Sequence, residues 1–128
     1  VRVLETCLYV TDLNDAEDFY TNVLGFRLHG KVPGRHVFLR AGDGMLLLFD
    51  PEESAKPGST PPHAGKTGGH ACFAIQPSET QSWTERLAKA GVKVTQYAWG
   101  DRGVSLYFHD PSGNLLELAP PRIWGIES

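Results

Sequence analysis

No apolar run in this 128-residue sequence approaches the roughly 20 residues that a membrane-spanning helix needs. No Lys/Arg cluster is present either, and the formal net charge is -3, which argues against nucleic acid as the main partner. Neither feature points to a membrane partner. Only two cysteines occur, Cys7 and Cys72, both inside apolar alternating segments. That favours reduced, buried thiols over a disulfide, and with them the expectation of a cytoplasmic protein. What remains is 41% hydrophobic and 21% charged, an ordinary globular balance that argues against wholesale disorder. At this length the simplest organisation is a single domain, or two small halves sharing a core.

What is there is one unit used twice. Residues 4–10 alternate as a strand. Asp12 or Asn14 then caps a helix with Ala16, Phe19, Tyr20, Val23 and Leu24 at helical spacing, and Gly25 stops it. Strands follow at 26–32, 36–41 and 45–50, with "AGDG" (41–44) as a tight turn. The second half repeats the order. It has a strand at 70–76, a helix capped by Ser78 with Trp83, Leu87 and Ala90 on its buried side, and strands near 92–97, 103–109 and 114–119. Superposed, Glu5 matches His70, Cys7 matches Cys72, Gly44 matches Gly113, and Leu48 matches Glu117. The fold class is therefore α+β, two βαβββ modules at 1–50 and 68–119, joined by a linker at 51–67 and followed by a tail at 120–128. The linker, rich in Pro, Gly and Ser, is long for a compact domain. It reads as a mobile cover, or as slack that lets halves pair between chains. His63 within it reads as a plain solvent-exposed histidine.

Strand parity selects the candidate chemistry. In "GGHACFAI", His70, Cys72 and Ala74 share one face, and Ala71, Phe73 and Ile75 share the apolar other. Glu5, Cys7 and Tyr9 share a face of the first strand, and Glu117 interrupts the otherwise apolar "LLEL". A buried lone carboxylate costs several kcal/mol unless it is paired, protonated or metal-bound. One imidazole with two carboxylates would suit a divalent Fe, Mn, Ni, Co or Zn ion with positions left open. The plainer alternative is two exposed glutamates and a strand histidine bonded to a neighbour. Both stand on the residues alone.

Three segments, "LYVTDLNDAEDFYTNVLGF" (8–26), "GGHACFAI" and "FHDPSGNLLEL" (108–118), resemble the vicinal oxygen chelate superfamily, also called the glyoxalase/bleomycin-resistance/extradiol-dioxygenase superfamily. The resemblance implies two modules forming an incomplete barrel around a pocket, assembly as a homodimer, and metal ligands at Glu5, His70 and Glu117. Leu48 falls at a fourth position and cannot ligate, which counts against glyoxalase I and methylmalonyl-CoA epimerase. The three-ligand members, extradiol dioxygenases and fosfomycin-modifying thiol transferases, usually begin with His rather than Glu. The function expected is a divalent-metal-dependent lyase, isomerase or dioxygenase acting on a small oxygenated metabolite. The alternative is a metal-free sequestration protein of the bleomycin-resistance type.

For proton transfer, Glu5 is a candidate base, with His109 and His36 as further candidates. Tyr107 and Tyr9 are candidate donors to a developing oxyanion, or plain aromatic core. Arg40 and Arg102 are candidates for gripping an acidic substrate, although scattered arginines are usually solvated. "DPSG" (110–113) reads as turn chemistry, and Ile123 and Trp124 as a tail packed against the barrel or a second subunit.

Overall fold

The computed structural model describes residues 1–126. The chain forms two compact units: Val1–Gly69 together with Asp110–Asn114, and His70–His109 together with the chain from Leu115 onward. Each carries one open four-stranded sheet.

In the first unit the strands are β1 (Glu5–Tyr9), β2 (Arg27–Val32), β3 (His36–Ala41) and β4 (Gly44–Phe49), in the order β1-β4-β3-β2. β1 runs parallel to β4, and the other pairs are antiparallel. Helix α1 (Leu13–Asp18) starts where the Asp12 carboxylate accepts the Asp15 N–H, and a wider helical turn, Phe19–Val23, continues it. Ala16, Tyr20 and Leu24 are buried, as are Leu8, Val37, Leu39, Leu46 and Leu48 on one parity of the strands. Alternation thus sends one side chain into the core and leaves the next on the open face.

The second unit repeats the topology with β5 (His70–Ala74), β6 (Thr95–Ala98), β7 (Val104–His109) and β8 (Leu115–Ala119), in the order β5-β8-β7-β6. Leu87 of the long helix (Thr80–Lys89) is fully buried, as are Leu106 and Leu116, with Phe108 and Leu118 nearly so.

Several sequence expectations change. Asp50 caps a short helix, α2 (Pro51–Ser54), at the start of the expected linker, so the long helix is α3. The sixth strand starts three residues later than expected, and Ala90 is exposed. Ile123 is buried, but Trp124 is 79% exposed. Cys7 and Cys72 are both free thiols and both exposed rather than buried, because they fall on the open parity of their strands. The two-residue hairpin at Gly42–Asp43 matches the expected tight turn.

The Asp110–Asn114 loop is more than a turn. Gly113 has φ +87, a conformation that side-chain-bearing residues rarely adopt. Asp110 accepts the Tyr20 hydroxyl at 2.7 Å and the Asn114 amide at 2.9 Å. Asn114, wholly buried, accepts the Gly68 and Gly69 N–H groups at 2.9 Å and donates to the Tyr9 carbonyl at 2.9 Å. Burial beside Asp110 pushes the Tyr20 phenol well above its usual range.

Candidate functional site

On the open face of the second sheet, register places Cys72 and Tyr107 on either side of Glu117, and Leu115 between His70 and His109. Glu117 is 6% exposed, so its oxygens must be satisfied from within. Ser105 donates to Oε2 at 2.5 Å, and Trp99 Nε1 donates to the Ser105 hydroxyl at 2.8 Å. The other oxygen, Oε1, lies 3.4 Å from His70 Nε2.

His70 Nδ1 is 2.8 Å from the Leu115 carbonyl. A carbonyl only accepts, so Nδ1 carries a proton, and in the neutral ring Nε2 carries a lone pair. Two lone-pair-bearing atoms then face each other, which a proton or a cation between them would reconcile. This is also how a metal-ligating imidazole is commonly oriented, its far nitrogen donating to a carbonyl. The pair therefore fits a divalent ion by donor chemistry.

The carboxylate also acts on its neighbours. Desolvation, and then the charge of Glu117, push the Cys72 thiol up to about 12. The same two causes raise Tyr107, so both remain protonated at neutral pH.

Of the expected ligands, then, His70 and Glu117 are brought together. Glu5 lies on the first unit, exposed at the start of β1, and among the described residues no group of three or more His, Cys, Asp or Glu is gathered to hold a metal ion. His109 is exposed at the end of β7. The expected match of Leu48 with Glu117 also shifts by one. Glu117 stands opposite Cys72, whereas the residue opposite Cys7 is Leu47. Leu48 faces the core and is wholly buried. The cause is turn length: four residues lie between the paired Arg40 and Met45, and five between the equivalent pair His109 and Leu115.

The first unit holds a cleft of about 410 Å³ over its open sheet face. Glu5 lines it, with Phe38, Leu47, Phe49, Arg35 and His63 among its other walls. His63 is not the solvent histidine expected of a linker. Its backbone is clipped to Ser54, whose carbonyl accepts the His63 N–H at 3.0 Å and whose hydroxyl donates to the His63 carbonyl at 2.9 Å. Its ring meets Phe49 edge-on, with centroids 4.5 Å apart, and its Nδ1 lies 2.6 Å from the Tyr9 hydroxyl. Gly65 makes the approach possible, since a Cβ there would fall 2.1 Å from the Tyr9 ring. Nothing local in "STPPHAGK" marks this. The missed signal was Asp50-Pro51, a helix-start pair that turns the linker back over the sheet.

Two open α+β sheets of β1-β4-β3-β2 type, each presenting polar side chains on its uncovered face, define a class of doubled βαβββ proteins. Residues 2–118 match the family model described as the glyoxalase/bleomycin resistance protein/dioxygenase superfamily, and the chain belongs to that superfamily. A glutathione transferase FosA from Serratia marcescens is 30% identical over 112 residues, which span 87% of this chain and 74% of that protein. The crystal structure of a lactoylglutathione lyase from Agrobacterium tumefaciens is 36% identical with a TM-score of 0.92, covering 98% of this chain and 97% of its own. The fosfomycin resistance protein FosX from Listeria monocytogenes, solved with Mn(II) and sulfate, shares the fold at a TM-score of 0.69 and 23% identity, with 94% and 89% covered. No helix among the described residues is long and apolar enough to cross a membrane.

Proposed function

We propose that this chain binds a small oxygenated metabolite on an open sheet face, in the manner of the sequestering members of its superfamily. The observation that carries the reading is the first-unit cleft of about 410 Å³, a volume within the range of small-molecule sites, with aromatic walls and a few polar groups. A thermal-shift screen of polar metabolites, followed by amide shift mapping, tests it. Binders should move resonances of residues 29–63. A panel that moves none of them removes the reading.

A second reading, a metal-dependent lyase, isomerase or dioxygenase, is favoured by the His70–Glu117 pair. In it Glu5, His70 and Glu117 hold a divalent ion, within one chain or across a homodimer, and Tyr107 and His109 serve as proton donor and base. The ion would supply Lewis acidity to substrate oxygens. Tyr107, kept protonated by desolvation and by Glu117, is suited to donating rather than abstracting. Names of relatives lend support: FosA is called a transferase, and FosX was solved with Mn(II). Elemental analysis of gently purified protein beside Glu117→Ala decides between the readings. Near-stoichiometric metal that vanishes in the variant supports the enzyme, and a parent that stays empty after metal is added back leaves the binder.

A further inference from the structure

The first-unit cleft has a chemical bias that its volume does not reveal. Arg35, half-buried in the turn between β2 and β3, gives its NH1 to His36 Nδ1 at 2.6 Å, and its guanidinium lies 5.6 Å from the Phe49 ring centre. Among the described residues it pairs with no carboxylate. Asp50, tied to Arg35 through backbone, turns its Oδ1 to the Glu52 and Glu53 N–H groups and makes no ion pair with the guanidinium. The arginine charge is thus positioned by neutral groups and left without an ion-pair partner among the described residues.

The imidazoles point the same way. Arg40 donates to His29 Nδ1 at 3.0 Å, as Arg35 does to His36, and a guanidinium has no lone pair to offer in return. The Tyr9 phenol, raised by burial and by Cys7, is the natural donor to His63 Nδ1. A neutral ring that accepts at Nδ1 carries its hydrogen on Nε2. His29, His36 and His63 therefore present hydrogens rather than lone pairs. Glu5 is the opposing charge, but it begins β1 while Tyr9 ends it, roughly 13 Å away along the strand. Between them stand the apolar walls of Phe38, Leu47 and Phe49.

We infer that this cleft selects a small carboxylate with a planar apolar body, its charge held by Arg35 and the His63 Nε2–H and its flat part lying against Phe38 and Phe49. The inference rests on the binding reading and narrows it to a ligand class.

The test titrates the isotope-labelled full chain with benzoate, its neutral isostere benzamide, and acetate at neutral pH, following amide and imidazole nitrogens. Benzoate should shift Arg35, His36 and His63 and bind about tenfold tighter than either benzamide or acetate, the scale of a charge-assisted hydrogen bond. Arg35→Gln should erase the preference over benzamide, and Arg35→Lys should restore part of it, which a misfolded protein would not do. Equal binding of benzoate and benzamide, or a preference that survives Arg35→Gln, overturns the assignment. Neutral fragments binding there without preference for a carboxylate remove the assignment alone. A cleft that no fragment moves removes the binding reading as well.

Discussion

The two sheets share a topology and a histidine-bearing open face, yet they put the imidazole to opposite uses. In the first unit three rings accept at Nδ1 from Arg35, Arg40 and Tyr9, so they offer N–H groups. In the second, His70 Nδ1 faces the Leu115 carbonyl, so its Nε2 offers a lone pair toward Glu117. A face of the first kind attracts anions, and one of the second attracts a proton or a metal ion. The difference lies in the partner of one nitrogen, so equivalent strand positions in a repeat need not share chemistry.

The comparison breaks most severely at Asn114. Asn114→Ala strips the Gly68 and Gly69 N–H groups and the Tyr9 carbonyl of their partner, and should cost about 2–4 kcal/mol as buried groups go unsatisfied. Urea unfolding measures the loss. Amide exchange should show it concentrated around Tyr9 and His63.

The second unit is tested at Ser105. Ser105→Ala leaves Glu117 Oε2 and the Trp99 indole without their shared hydroxyl, for an expected loss of about 1–3 kcal/mol. Indole fluorescence of Trp99 reports the change locally, and an unchanged unfolding midpoint would deny the relay its structural weight.

A smaller effect sharpens the contrast through Cys72. With its pKa near 12, the thiol should alkylate slowly at pH 8. Glu117→Gln removes the neighbouring charge and should speed the reaction severalfold. An unchanged rate would mean that desolvation by the surrounding sheet acts alone.

The smallest effect sits at His36, whose pKa is lowered by desolvation and by Arg35. The unfolded ring takes a proton near 6.5 and the folded ring resists it. Its contribution to stability therefore holds above pH 6.5 and is lost as pH falls through the lower folded value. Stability measured from pH 7.5 to 5 should decline less in His36→Gln.

Much of this architecture was legible in the chain. Alternation identified the strands and their buried parity, and Gly25, Asp12 and the 41–44 turn marked element ends. Where periodicity was weak, as at 92–97, the strand slipped. Matching the glycines pairs Glu117 with Leu48, whereas register is set by hydrogen bonding across strands and shifts with turn length. The apolar neighbours of Cys7 and Cys72 suggest burial, but in a sheet covered on one side parity decides it, and both are exposed.

The sequence by itself determined the doubled βαβββ order and the core-facing residues. Those follow from local periodicity, which a linear chain displays. Only the tertiary structure decided that His63 folds back onto Tyr9, that Asn114 clamps residues 68 and 69, and which nitrogen of each histidine is free. Those depend on partners from 1 to 54 residues away in sequence, and no local pattern encodes which of those atoms the fold brings within hydrogen-bond reach.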